Sequence, residues 1–508
     1  MTSFHFDVTG LVAYLRRNDR YSGIQRVVAM LIDRCAREVG PERVNICFDS
    51  VLGGYRTVSL SSLPDGIMLE PRKLKYGLAL GKPRPEPMRA LLRYQKDPLK
   101  YLFHRTALDV AAFFGAERRL EKFNTTPEAW KAERREAAGK VDRIRTRRFQ
   151  EVSGEKGHLI LLDVVASRRM RDLLSRVRAS GTIVSTFVHD IIPLTHLPLV
   201  PGLSPLLFHD WLRRSAGYTT RYLANSQATR RDLARFLAVY GIETPVTVVP
   251  LAQDRLPVPR RRPGGPLTAG IDAQAFGALL EIGDLDDQIR ALAATPFVLC
   301  AGTLENRKNI WRVALAWERL RADPALELPR LVFAGRPGWR SVEFDALMRG
   351  TGNLGGHVEI VSAPSDRDLD YLYRESLFCI QASLAEGWGL TVGEALSYGK
   401  TSVVARATSL PEVGGEMVEY CDPLSVASIA AACRRLIADP DHRRALEARI
   451  ARTRLRSWDD VARDLIAAVE GEEITDRRRR EASDGITGSP AAQPTVLQWR
   501  HSTQILEK

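Results

Sequence analysis

The amino-acid sequence predicts an α/β protein of two domains, each a parallel sheet covered by helices. Three observations lead there. Short apolar runs alternate with helix-length amphipathic text, in the order of consecutive βαβ units. This alternation occurs twice, on either side of a breaker-rich stretch at residues 255–270 (R-L-P-V-P-R-R-R-P-G-G-P-L-T-A-G). The 508 residues also exceed what one core holds, since single cores stop growing near roughly 250 to 300 residues.

In the first series the strand-like runs are 4–8, 44–48, 159–163, 182–188, 222–224 and 246–250. A helix is dictated between the first two, because Ile24, Val27, Val28, Leu31, Ile32 and Cys35 recur at i, i+3, i+4, i+7, i+8 and i+11, and that face is expected in the core. Residues 51–150 break the rhythm with Pro-rich, basic, helical text and read as an insertion into the first domain. The second series has runs at 297–301, 331–334, 358–361, 377–381 and 402–405. The expected organisation is a first domain over 1–254, a linker over 255–290 and a second domain over 291–457. From 471 to 508 the text turns to Arg, Ser, Gly, Pro and Gln, which bury too little apolar surface to fold alone, so a disordered tail is expected.

Composition narrows the class. Hydrophobic residues at 44% and charged residues at 27% are those of a soluble globular protein. The first ten residues include Asp7 and lack the basic and apolar regions of a secretory signal, and no apolar run approaches the roughly 18 residues of a membrane span. The six cysteines (Cys35, Cys47, Cys300, Cys379, Cys421, Cys433) form no C-x-x-C pair and read as buried free thiols in a reducing, cytoplasmic compartment. Of the net charge of +13, residues 51–150 carry +11, from 22 Lys plus Arg against 11 Asp plus Glu. Such a segment suits a solvated helical face, an anionic membrane surface or a nucleic acid. The solvated face ranks first and nucleic acid last, since RNP-like aromatics and Cys/His spacing are absent.

The strongest chemical signal is Glu386-Gly387-Trp388-Gly389-Leu390-Thr391-Val392-Gly393-Glu394, directly after a strand-like run. Two glycines there expose backbone N–H groups at the start of a helix, a place that attracts phosphate or sugar hydroxyls. Glu386 before the turn and Glu394 after it can reach different parts of one extended ligand, and each carboxylate accepts hydrogen bonds from neighbouring hydroxyls. By itself a G-x-G of this kind also suits an ordinary strand-to-helix turn.

This segment resembles the E-x7-E signature of the retaining GT-B glycosyltransferases of family 4, in the mannosyltransferase-like subgroup, with Trp388 where the usual form has Phe. The likeness covers most of residues 1–470, apart from the insertion and the linker. It implies a GT-B fold: two Rossmann-like domains facing an interdomain cleft, with the nucleotide-sugar donor held in the second. It also implies a helix over 458–470 that packs back on the first domain.

A second element, Gly302-Thr303-Leu304-Glu305-Asn306-Arg307-Lys308-Asn309-Ile310, resembles the family's donor-phosphate motif. Arg307 meets phosphate with a planar fork and Lys308 as a point charge. Thr303 stands where many relatives carry Arg, which leaves more of the neutralising to the basic pair. A third, His189-Asp190-Ile191-Ile192-Pro193, lies at the C-terminal end of a strand-like run, where open α/β sheets present ligand groups. The resemblance places His189 close to the donor sugar. A fourth, Tyr21-Ser22-Gly23-Ile24-Gln25-Arg26, resembles the first glycine loop of the family, with Gln25 replacing the second glycine. Gly23 would lie under the donor diphosphate, and Arg26 would help with an anionic group. Val361 ends a strand where relatives place the base.

The expected catalytic residues are therefore His189, Glu386, Arg307 and Lys308. The expected donor contacts are Gly23, Thr303, Val361, Gly387, Trp388, Gly389, Leu390 and Glu394, with the amides of 387–390 facing the leaving group, Glu386 the sugar and Glu394 the ribose. Asp284-Leu285-Asp286 matches D-x-D but sits in polar text before a domain begins, and reads as a surface coincidence. No metal or cofactor is called for, the nucleotide sugar being a substrate. No H-E-x-x-H, Walker loop, G-x-S-x-G or G-x-G-x-x-G occurs.

The implied activity is retaining transfer of a hexose, with GDP-mannose first among donors, to a lipid-linked or surface polysaccharide acceptor. The site would be cytoplasmic, peripheral on the inner face of the cytoplasmic membrane where the basic stretch meets anionic lipid. The alternatives are a GT-B-fold sugar-nucleotide epimerase or hydrolase, and a non-catalytic protein binding an anionic polymer.

Overall fold

The computed structural model describes residues 2–50, 54–81, 89–94, 97–123, 125–137, 143–149, 157–164, 168–255, 285–292 and 295–471. Most of the expected linker, nearly all of the expected tail and Asp284 of the D-x-D triplet lie outside the described residues.

The first domain is built on an eight-stranded sheet of order β4-β3-β2-β1-β5-β6-β7-β8. Its strands are β1 (Ser3–Asp7), β2 (Val44–Ser50), β3 (Gly54–Ser59), β4 (Arg147–Arg148), β5 (Gly157–Leu161), β6 (Ile183–Val188), β7 (Arg221–Ala224) and β8 (Val246–Val248). All pair in parallel except β3 and β4, which add an antiparallel edge. Strands covered on both faces must be apolar throughout, and every residue of β5 is accordingly buried. Residues 51–150 are thus not wholly inserted, since both ends of that stretch join the sheet. The ends escape the apolar-run criterion because β3 is an edge strand whose Tyr55, Thr57 and Val58 are buried while Arg56 is not. Between them, the helices Pro98–Phe113, Glu117–Glu121 and Pro127–Ala137 gather around a small core of their own, with Leu91, Leu108, Leu120 and Trp130.

The second domain has a six-stranded sheet of order β11-β10-β9-β12-β13-β14. The strands are β9 (Phe297–Ala301), β10 (Arg330–Gly335), β11 (Val358–Ser362), β12 (Cys379–Gln381), β13 (Ser402–Ala405) and β14 (Glu419–Cys421), all parallel. β14, three residues at the sheet edge with Glu419 and Tyr420 only half-buried, offers no apolar run and is absent from the sequence reading.

The helix Gly23–Val39 buries Val27, Val28, Leu31, Ile32 and Cys35 as its periodicity requires. Ile24 departs from the expectation at 42% exposure, because it sits in the first turn at the edge of the cleft, ahead of the packed part of the helix. The helix Trp458–Glu470 begins with a capping box between Ser457 and Asp460. Its Trp458, Val461, Leu465, Ile466 and Val469 join the same apolar cluster as Val27, Val28 and Leu31, so the chain crosses back from the second domain to the first. That cluster also takes in Trp388, Val392, Leu410 and Val413, and therefore runs beneath the cleft from one domain into the other. The six cysteines are buried and free. Among the described residues no helix is long and apolar enough to cross a membrane.

Candidate functional site at the interdomain cleft

The parallel strands of both sheets point their C-terminal ends at one another, so the loops after them meet. On the second domain, the turn after β9 brings Arg307 and Lys308 to the carboxylate of Glu386, which follows β12. Lys308 Nζ lies 2.7 Å from Glu386 Oε1, and Arg307 donates to Glu386 Oε2 at 2.6 Å. Ser383 donates to Oε1 at 2.8 Å and Gln381 at 3.2 Å. Burial alone would raise the pKa of Glu386, but Arg307, Lys308 and these donors outweigh it and hold the carboxyl at about 2. Glu386 is therefore an anion at every physiological pH.

Arg307 does not present a free fork. Its guanidinium donates to Glu305 Oε1 at 2.7 and 2.9 Å and to the Ala385 carbonyl at 3.0 Å, in addition to Glu386. Burial disfavours its charge, yet Glu386 and Glu305 push its pKa above the ordinary Arg value. Lys308 is the less occupied cation. A Cβ built on Gly302 would lie 3.4 Å from Lys308 Cε and 3.9 Å from Thr391 Cγ2, so the lysine stem passes over Gly302 beside the tip of the helix Leu390–Ser397. The first N–H groups of a helix have no intrahelical acceptor, and Gly389, in the left-handed region at φ 112°, turns the chain so that those of Leu390 and Thr391 open toward this point. Lysine, helix tip and Thr303, which stands half-buried after β9, form one side of the cleft.

Glu394, one turn further on, is held by Tyr373, whose hydroxyl donates to it at 2.9 Å. Burial raises its pKa against the pull of Arg26 and that hydrogen bond. Arg26 reaches across from the first domain and forms an ion pair with Asp366, so it fastens the two domains instead of standing free for an anion. Gly23 is exposed at the start of its helix with open space where a Cβ would point.

His189 follows β6 on the opposite wall. Its Nε2–H donates to the Leu162 carbonyl at 2.9 Å and its ring packs on Phe187 at 4.9 Å, which fixes the imidazole and leaves Nδ1 as the acceptor. The backbone of His189 touches the second domain directly, because a Cβ on Gly387 would stand 2.2 Å from the His189 carbonyl oxygen and 2.9 Å from Asp190 Cβ. A glycine at 387 is thus what lets the walls meet. Further from the centre, the Glu412 carboxylate accepts the backbone N–H groups of Gln227 and Ala228 at 2.8 Å each, capping the helix Gln227–Val239 of the other domain.

Two expected donor contacts lie elsewhere. The Trp388 indole is buried in the joint between domains and donates to the Ala252 carbonyl at 3.1 Å, because an aromatic that size with one polar atom suits an apolar joint with one exposed carbonyl. The Val361 side chain points into the core beside Leu372 and Tyr371, leaving only its backbone near the cleft.

The sequence reading missed Asp7 and Asp163, which end β1 and follow β5 next to His189. The Asp7 carboxyl accepts from Tyr55 at 2.7 Å and Thr9 at 2.8 Å. Burial dominates these bonds and pushes its pKa up to about 6. Asp163 is raised by burial too, against the Val164 N–H and the nearby His189. Each closes an apolar run, F-H-F-D and L-I-L-L-D, and the strand-end argument applied to His189 would have found them. Asp190 is raised by burial, opposed first by Arg307 across the cleft. Among the described residues no group of three or more His, Cys, Asp or Glu side chains is arranged to hold a metal ion.

Residues 284–453 match the family model described as glycosyl transferases group 1. The O-antigen chain mannosyltransferase B of Escherichia coli is 33% identical over 179 residues, 35% of this chain and 46% of that protein. The MMP alpha-(1->4)-mannosyltransferase of Mycolicibacterium hassiacum is 32% identical over 206 residues, 40% of this chain and 46% of that one. The chain spans less than half the length of either relative. In architecture, Anabaena Alr3699/HepE, solved in complex with UDP and glucose, superposes over 93% of this chain and 100% of its own with a TM-score of 0.52 at 12% identity. The protein therefore has the two-domain GT-B fold, and its second domain is similar in sequence to glycosyl transferases of group 1.

Proposed function

We propose that the protein transfers a hexose from a nucleoside-diphosphate sugar to a glycan or lipid-linked glycan acceptor at a membrane surface, with retention of anomeric configuration. GDP-mannose is the first donor to test, a choice supported by the two mannosyltransferase relatives. The observation that carries the proposal is the convergence of Lys308, the Glu386 carboxylate and the tip of the helix Leu390–Ser397 on one wall, with His189 facing them.

Breaking the anomeric C–O bond develops negative charge on the leaving diphosphate. A lysine and oriented backbone N–H groups lower that barrier because they are fixed before charge appears. Arg307, held by three acceptors, anchors Glu386 in place, and Glu386 is left to accept sugar hydroxyls as a permanent anion. Glu394 would accept from the ribose. His189, donating through Nε2 to Leu162, offers Nδ1 as an acceptor to a hydroxyl on the sugar. The leaving phosphate itself would take the acceptor's proton, so bond formation and bond cleavage occur on one face. The meeting of the walls at Gly387 excludes water, which protects the transferring sugar from hydrolysis.

The test is thermal stabilisation of the purified protein by a panel of sugar nucleotides, followed by transfer assays with the donor that stabilises. At 100 times its dissociation constant a ligand adds about 2.7 kcal/mol. Lys308→Ala should keep the melting temperature of the free protein and lose the donor-induced shift, with activity down about ten- to a hundredfold. If no sugar nucleotide stabilises the wild type, or Lys308→Ala turns over normally, the proposal is wrong.

A further inference from the structure

The helix Pro98–Phe113 is apolar on two opposite sides. Leu108, Ala111 and Ala112 on one side pack into the small core with Leu91, Leu120 and Trp130. On the other side stand Leu99, Leu102, Phe103, Val110 and Phe113, with Phe114 just beyond the helix. At about 100° per residue these fall within about 60° of a common direction. All are exposed, Leu99 at 80%, Phe103 at 65%, Phe113 at 78% and Phe114 at 76%. Thr106 lies at the centre of that face and turns its hydroxyl back onto the Leu102 carbonyl at 3.0 Å, so the face presents no charge. A helix that is apolar all round is ordinarily a buried one, and an exposed stripe of this kind marks a contact surface.

We propose that this face lies in the interfacial layer of an anionic bilayer, with the helix parallel to the membrane plane. Charge selects the occupant. Lys100 on the flank of the stripe, and Arg118, Arg119 and Lys122 on and after the helix Glu117–Glu121, are exposed. They belong to the 51–150 stretch that holds +11 of the chain's +13. Basic residues beside a stripe of Leu and Phe are the pattern of an interfacial amphipathic helix, which adds apolar burial to attraction for acidic headgroups. The 16-residue helix is shorter than the roughly 20 residues that span a bilayer, so it lies in the plane. A second protein chain fits less well, because a stable protein interface engages roughly 20 to 30 residues a side, and the stripe offers six large side chains. The inference deepens the membrane-facing part of the proposed function and rests on it for its purpose, but binding is read without any sugar nucleotide, so the two fail separately.

The experiment is flotation of the full chain with phosphatidylcholine vesicles made with and without phosphatidylglycerol. Wild type should float with the anionic vesicles and less so as salt is raised. Phe103→Asp with Phe113→Asp should weaken that binding by at least about tenfold. The same variant should melt as wild type does and keep any donor-induced thermal shift, since both side chains are exposed. Leu206→Asp with Leu207→Asp, on exposed leucines of the helix Ser204–Ser215, should leave flotation unchanged. Equal flotation of the Phe103/Phe113 variant overturns the proposal. So does a wild type that ignores anionic vesicles and sediments as a dimer which that variant converts to monomer, an outcome that gives the face to a second copy of the chain.

Discussion

Replacing Gly387 by Ala tests whether the walls of the cleft must meet for the protein to work. The backbone at Gly387 is outside the left-handed region, so alanine brings no conformational strain and the added methyl is the whole perturbation. That methyl would stand 2.2 Å from the His189 carbonyl oxygen, 3.1 Å from its carbon and 2.9 Å from Asp190 Cβ. These atoms belong to the other domain, and neither a carbonyl nor a strand end can turn aside as a flexible side chain would. Overpacking of this kind costs about 1 to 3 kcal/mol. Here the two domains can relieve it by separating, so the cost falls on the closed arrangement and not on either core. At about 1.4 kcal/mol per tenfold, the closed population and the turnover that depends on it should drop about fivefold to about 150-fold. Glycosyl transfer measured beside thermal melting separates the two effects, and Gly387→Ala should lose activity with little change in melting temperature. Gly335→Ala supplies the contrast, because its methyl would lie 1.8 Å from the Gly302 carbonyl inside one domain and should destabilise that domain outright. Activity of Gly387→Ala within twofold of wild type would refute the role given to this contact, as would a loss that merely tracks unfolding.

Glu386→Gln removes a carboxylate whose pKa is lowered from 4.5 to about 2, leaving Lys308 and Arg307 with one anion fewer. A depressed acid stabilises the fold above its unfolded pKa and ceases to do so as pH falls through the folded value, which here is the window from about 5 down to about 2. The variant should be less stable than wild type by about 3 kcal/mol at pH 7, a gap that narrows by about half at pH 3. Urea denaturation at stepped pH measures it, and a gap that stays constant down to pH 3 would contradict the electrostatic account. Trp388→Ala should cost about 3 to 5 kcal/mol of stability, as deletion of a buried aromatic does, while changing donor affinity of the folded protein less than tenfold. Lost donor affinity with unaltered stability would restore the donor-facing role that the sequence reading gave Trp388.

Much of the architecture was legible in the chain because parallel strands buried on both faces must be apolar along their whole length. The runs ending in Asp7, Val188, Ala301 and Gln381 satisfy that condition and correspond to β1, β6, β9 and β12. β3 and β14 escaped because an edge strand buries only part of itself, and its sequence then resembles a loop. The pairing of Lys308 with Glu386 could be anticipated in kind, since both follow strand ends that open on one cleft.

The sequence by itself determined which residues carry charge, where glycines allow a turn, and that two sheets must form. What it left to the tertiary structure was partnership, because contacts between residues hundreds of positions apart depend on how the domains dock. Docking makes Arg307 an anchor for Glu386, turns Arg26 to Asp366 and sinks the Trp388 indole into the joint. Side chains of the right chemistry were already written in the chain, but which of them face ligand and which hold the walls together is settled only by packing, where each buried polar atom takes the nearest partner that offsets its loss of water.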